Sequence, residues 1–312
     1  MKSVSPLIDT VEHSLGLDSE LRSLFALLDD PDPRVAEVVQ ERIRMRGDDV
    51  VLPLLSFIEG SPNPLAKERA EVLADQFTIA QIKEGFRTLT PRFMRHDDQA
   101  FEDGAFLIAR YANPRLNAAK YRTMLDEMAE QLRQRLSGLS SALEILDVVN
   151  HFFFEELRFR GNQAMFMEPE NSYLDRVLDR RIGIPISLAV IYLLVADVRL
   201  RLPFSGACAP GHFLVRYDGL RSEPLFVDAF NSGTILRSRD IKRYLDSAGL
   251  PFHKEFLEAA HPRSILLRMM RNLMMVFTER GNKTSRKSFQ EFMRILSPDS
   301  IGSDLFMRGL EG

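Results

Sequence analysis

The 312-residue chain is 45% hydrophobic and sets 41 Lys plus Arg against 44 Asp plus Glu, a net charge of −3. That length suits two domains with well-formed cores. Basic residues scattered among acidic ones exclude the concentrated positive surface of a nucleic-acid-binding protein. Cys208 is the single cysteine, so no intramolecular disulfide can form, and the Met1–Pro6 opening lacks the apolar region of a secretory signal. The longest apolar run, Leu188 to Ala196, falls far short of the ~20 residues that span a bilayer. A globular protein of the reducing cytoplasm, off the membrane, is expected.

From Asp18 to about Leu89 apolar residues recur at helical spacing: Leu21, Leu24, Phe25 and Leu28, then Val35, Val38, Val39 and Ile43, then Val51, Leu54, Leu55 and Ile58. Asp29-Asp30-Pro31-Asp32-Pro33 and Gly60-Ser61-Pro62-Asn63-Pro64 punctuate these helices. Short helices stacked this way look like one or two HEAT-type units. The polar stretch from Thr90 to Asp98 reads as a linker, which places a helical domain over 1–95 and a second domain over 100–260.

The second domain opens with an amphipathic helix carrying Tyr121, Met124, Leu125, Met128 and Leu132. Ser141-Ala142-Leu143-Glu144 is a capping-box signature for the next helix. A wholly apolar helix runs from Ser187 to Asp197, after which the period becomes two: Phe213, Val215 and Tyr217 alternate with His212, Leu214 and Arg216. Turns at Asp218-Gly219 and Asn231-Ser232-Gly233 separate this strand from Leu225, Val227 and Ala229 and from Thr234-Ile235-Leu236. Helices followed by an antiparallel meander make an α+β arrangement. Ser238 and Gly249 bracket a further helix. A helical hairpin over 261–312 breaks at Gly281-Asn282.

Ser187, His212 and Asp228 stand in the order of a nucleophilic triad of hydroxyl, imidazole and carboxylate. Ser187 opens the buried helix, so it fits two roles: a plain N-cap, or a nucleophile in the positive end of the macrodipole. A serine gains little from that field, because its alkoxide is inaccessible near neutral pH and it depends on an adjacent base. If His212 and Asp228 are directly opposed across the hairpin, their Cβ atoms lie ~5 Å apart, and the carboxylate can fix the imidazole tautomer or merely satisfy a buried imidazole. Gly211 removes a side chain where a ligand or a second backbone could approach. Asn162 and Asn171 are candidate oxyanion donors, although Asn171 is read first as the N-cap of the helix carrying Tyr173, Leu174, Val177 and Leu178. Cys208, four residues before His212, reads as a small buried hydrophobe, with a substitute nucleophile as the alternative. His96-Asp97-Asp98 lacks the spacing of a metal site, and neither metal nor cofactor is expected.

Four blocks in order, 154–162 (FEELRFRGN), Asn171 to Leu188, Pro210 to Tyr217, and Phe226 to Gly233, resemble the transglutaminase-like core of the SirB-type family. The resemblance implies a papain-like transglutaminase fold with the nucleophile at the start of the central helix and His and Asp on adjacent strands. It also implies a tetratricopeptide-like character for the C-terminal hairpin, although that repeat's consensus is absent. Active transglutaminases carry cysteine at the nucleophile position, where Ile184-Pro185-Ile186-Ser187 offers serine, and Arg201 stands where glycine is usual. Two functions are therefore expected: a non-catalytic binding or regulatory protein with a protein or peptide partner, or a Ser-His-Asp amidase, protease or acyl-transferase.

Overall fold

The computed structural model describes residues 19–95, 97–220 and 223–298; Met1–Pro6 and His96 lie outside them. Two compact units divide between Glu84 and Gly85. The first holds helices α1 (Ser19–Ala26), α2 (Pro33–Arg44), α3 (Val51–Gly60) and the first part of α4 (Pro64–Phe93). Asp32 caps α2 by accepting the Arg34 amide at 2.9 Å, with Pro33 opening the helix. Asn63 caps α4 through the Leu65 amide at 2.9 Å. The periodic residues Leu21, Phe25, Leu28, Val39, Ile43 and Leu54 meet Ala70, Leu73 and Phe77 of α4 in one core.

The stretch expected as a linker begins inside a helix. Helix α4 continues through Thr90 and Pro91 to Phe93. Arg92 then donates to Asp97 at 2.7 Å and to Asp103 at 2.7 Å. The polar side chains that suggest an irregular segment are instead spent on tying the turn after α4 to the next helix.

The second unit is α+β. Helices α5 (Gln99–Arg110), α6 (Ala118–Leu136) and α7 (Ala142–His151) lead into a π-helical turn at Phe152–Glu156. A short parallel pair, β1 (Arg160–Gly161) and β2 (Ile182–Gly183), brackets α8 (Leu174–Arg180). Helix α9 (Pro185–Leu193) follows, prolonged by a π-helical segment at Leu194–Arg199. An antiparallel meander comes next, β3 (Phe204–Ala207), β4 (Leu214–Tyr217), β5 (Leu225–Asp228) and β6 (Thr234–Leu236), in that spatial order. Helices α10 (Ser238–Ser247), α11 (Pro262–Glu279) and α12 (Lys283–Leu296) complete the unit.

Every residue of α9 is buried, as a helix without a polar face requires. It packs on β3, β4, α8 and α11. The α11–α12 hairpin turns at Gly281, φ +67°, and Asn282 caps α12 through the Ser285 amide at 3.0 Å. It packs on α5, where Gly104 leaves room for Leu266; a Cβ there would collide with the leucine. Among the described residues no helix is long and apolar enough to cross a membrane.

Candidate functional site

Ser187 is the third residue of α9. Ile184 is the N-cap and Pro185 opens the helix, so the expected helix start moves two residues back. The Ser187 hydroxyl is fully buried, donates to Asn171 O at 2.6 Å, has Ile184 O at 3.1 Å, and accepts from the Ile184 amide at 3.0 Å. Gly183 makes space for it: a Cβ at that position would stand 2.6 Å from Ser187 Oγ.

Asn171 ends a 3-10 turn at Pro169–Asn171 and does not cap α8, whose N-cap is Tyr173. Its Nδ2 donates to Met165 O at 2.7 Å, while its Oδ1 accepts from Asn162 Nδ2 at 3.1 Å and from Arg180 at 3.3 Å. Asn162 in turn accepts from the Met165 amide at 3.1 Å. Both asparagines therefore hold the 162–168 loop in place. That loop presents Met165 and Phe166 to solvent, and Phe166 packs edge-on against Phe230 at 5.8 Å between ring centroids.

His212 closes a turn from Ala209, its amide 3.2 Å from Ala209 O, and precedes β4 instead of lying within it. Pro210 followed by Gly211 at φ +69° suits a type II turn. Around Gly211 the space is open: a Cβ there would meet only the Tyr244 hydroxyl, at 3.5 Å. The backbone angle at Gly211, and not a close approach, calls for glycine. In the β4–β5 ladder Val215 faces Val227 and Arg216 faces Phe226. Continued, that register puts Leu214 opposite Asp228 and His212 on the diagonal.

The diagonal still brings the pair together, with His212 Nε2 2.8 Å from Asp228 Oδ2. Nε2 makes no aligned hydrogen bond with any described residue, so the contact is a close approach and not an aligned hydrogen bond. Asp228 has other partners: Oδ1 accepts the Phe230 and Asn231 amides, each at 3.1 Å, and Oδ2 accepts Asn231 Nδ2 at 2.7 Å. Burial pushes this carboxyl up, but His212 and Asn231 outweigh burial and hold it below the usual carboxylate range.

Cys208 is half-buried at the end of β3, and burial pushes its thiol up despite the nearby Arg268 and Arg271. Arg268 of α11 donates to Ala209 O at 2.8 Å and His212 O at 3.2 Å, fixing the turn that carries the imidazole. Sequence reasoning missed this arginine: it lies on a helix far along the chain, with only its place beside an apolar face to mark it. Asp97 and Asp98 are ion-paired with Arg92 and Arg201.

The family described as transglutaminase-like superfamily matches residues 119–271, which include Asn162, Asn171, Ser187, His212 and Asp228. A UPF0162 protein of Xylella fastidiosa (strain 9a5c) is 36% identical over 193 residues, covering 58% of this chain and 67% of its own. The chain belongs to the UPF0162 family. Protein SirB1 of Salmonella typhimurium is 28% identical to this UPF0162 chain over 111 residues, 36% of this chain and 41% of SirB1. Human F-box only protein 21 is 24% identical over 237 residues, 66% of this chain and 37% of its own. No solved structure matches. The UPF0162 core thus brings His212 and Asp228 together, while the Ser187 hydroxyl is bonded to Asn171 and Ile184.

Proposed function

We propose that this UPF0162 chain is a non-catalytic protein- or peptide-binding member of the transglutaminase-like fold, with Ser187 as a structural hydroxyl. The observation that carries the reading is the fully buried Ser187 Oγ, occupied by Asn171 O, Ile184 O and the Ile184 amide. A serine nucleophile needs a base within hydrogen-bond reach and a path for the carbonyl it attacks. Here its proton is committed to main-chain oxygens. The bonds it makes instead tie α9 to Asn171, and Asn171 holds the loop bearing Met165 and Phe166. Exposed Met165 and Phe166, and Tyr244 beside the imidazole, are side chains suited to a peptide partner. A reducing cytoplasmic setting fits the lone, half-buried Cys208.

The alternative, serine-dependent acyl transfer, draws on the 2.8 Å His212–Asp228 contact and makes the opposite forecast. A fluorophosphonate probe is expected to leave Ser187 unlabelled. Ser187→Ala is expected to lose ~1–3 kcal/mol of stability, because the Ile184 amide and Asn171 carbonyl lose a buried partner. Labelling of Ser187 that disappears in His212→Ala overturns the binding reading.

A further inference from the structure

Arg268 and Arg271 stand three residues apart on α11, so their side chains share a face. Both are half-buried. Elsewhere in this unit Arg92, Arg122, Arg199, Arg201, Arg216 and Arg280 each lie against a carboxylate. Arg268 and Arg271 do not. Among the described residues Arg268 reaches only the Ala209 and His212 carbonyls and the Cys208 sulfur, and Arg271 makes no hydrogen bond or ion pair. Among the described residues the one titratable group near both is Cys208, whose raised thiol stays neutral near pH 7. Burial lowers both guanidiniums from their usual range.

Half-buried charges are costly unless paired. Two of them, side by side and without a counter-charge, form a preorganised planar donor array beside the turn that carries His212. We propose that Arg271, with Arg268 beside it, is an oxyanion site that receives a phosphate monoester dianion. The charge decides the class: a phosphate monoester carries about −1.5 to −2 near neutral pH and matches both guanidiniums, whereas one carboxylate leaves a full positive charge uncompensated. That the phosphate belongs to a bound peptide rests on the peptide-binding reading above; the anion site itself does not.

Calorimetric titration of the full chain with inorganic phosphate, with a phosphoserine heptapeptide, and with the same heptapeptide carrying serine or glutamate tests this. Phosphate and the phosphopeptide are expected to bind, the serine and glutamate peptides at least ~10-fold more weakly than the phosphopeptide. Arg271→Gln is expected to weaken both phosphate ligands by ~10-fold or more while the ligand-free melting temperature stays level or rises, because an uncompensated charge has gone. Arg271→Lys is expected to fall between, since it keeps the charge and loses the fork. Absence of phosphate binding, binding indifferent to Arg271→Gln, or equal binding of the glutamate peptide overturns the site. Arg271-dependent binding of inorganic phosphate without added affinity for the phosphopeptide upholds the anion site and removes the peptide as its source.

Discussion

Asp228 shows how one carboxylate serves both a turn and an imidazole. Its oxygens accept two backbone amides and the Asn231 side chain as well as facing His212. Asp228→Ala leaves those donors unpaired and is expected to cost ~1–3 kcal/mol. Asp228→Asn keeps one oxygen for the Phe230 and Asn231 amides but turns an N–H₂ toward Asn231 Nδ2, so its melting temperature is expected between wild type and Ala. Because the folded carboxyl titrates below its unfolded value, its contribution is present above pH ~4 and lost as pH falls through the lowered folded value. The gap in melting temperature between wild type and Asp228→Asn should therefore shrink on acidification; a gap that stays constant shows that the charge contributes nothing. The pairing of His212 with Asp228 was legible from the order of the motifs. Its stagger was not, because the Pro210-Gly211 turn holds His212 ahead of β4 and register depends on where the ladder begins.

At the scale of elements, the strands and most helices were legible because their periods of 2 and 3.6 are written in apolar residues. Cap positions were read less well. Ser238 lies inside α10, whose start is held by Asp240 accepting the Arg237 amide at 3.0 Å, and the π-helical run at Leu194–Arg199 has no periodic mark that sets it apart from α9. Two residues past that run Arg201, which stands where glycine is usual in the family the chain resembles, takes a left-handed conformation with φ +57°. Its amide donates to Asp197 O at 2.9 Å. Burial, then the neighbouring Asp98 carboxylate, pushes the Asp197 side chain up to about 6. An acid whose folded pKa is raised penalises the folded state once ionised, so stability declines as pH rises from ~4 through ~6. Asp197→Asn is expected to raise the melting temperature at pH ~7.5 and to leave it unchanged at pH ~4. A gain of equal size at both values would show that packing, and not charge, is responsible.

For the whole molecule, the division between Glu84 and Gly85 was not legible, since it falls inside the continuous helix α4 and the polar residues after it look like a linker. The α+β core was legible as a class, because no other element shares the unbroken apolar run of α9. Amides of residues 188–193 are expected to exchange with deuterium only on global unfolding of their unit; exchange as fast there as in α10 would show that the core opens locally. The burial of α9 also sets an order of events during synthesis. Its cover includes α11, whose first residue, Pro262, lies well down the chain from Leu193. A growing polypeptide therefore carries this greasy segment without its lid until α11 has emerged, while the unit ending at Glu84 already has its complete core in hand. Nascent chains stalled after α9 has emerged and before α11 has done so are expected to be the form in which chaperones have the most to cover.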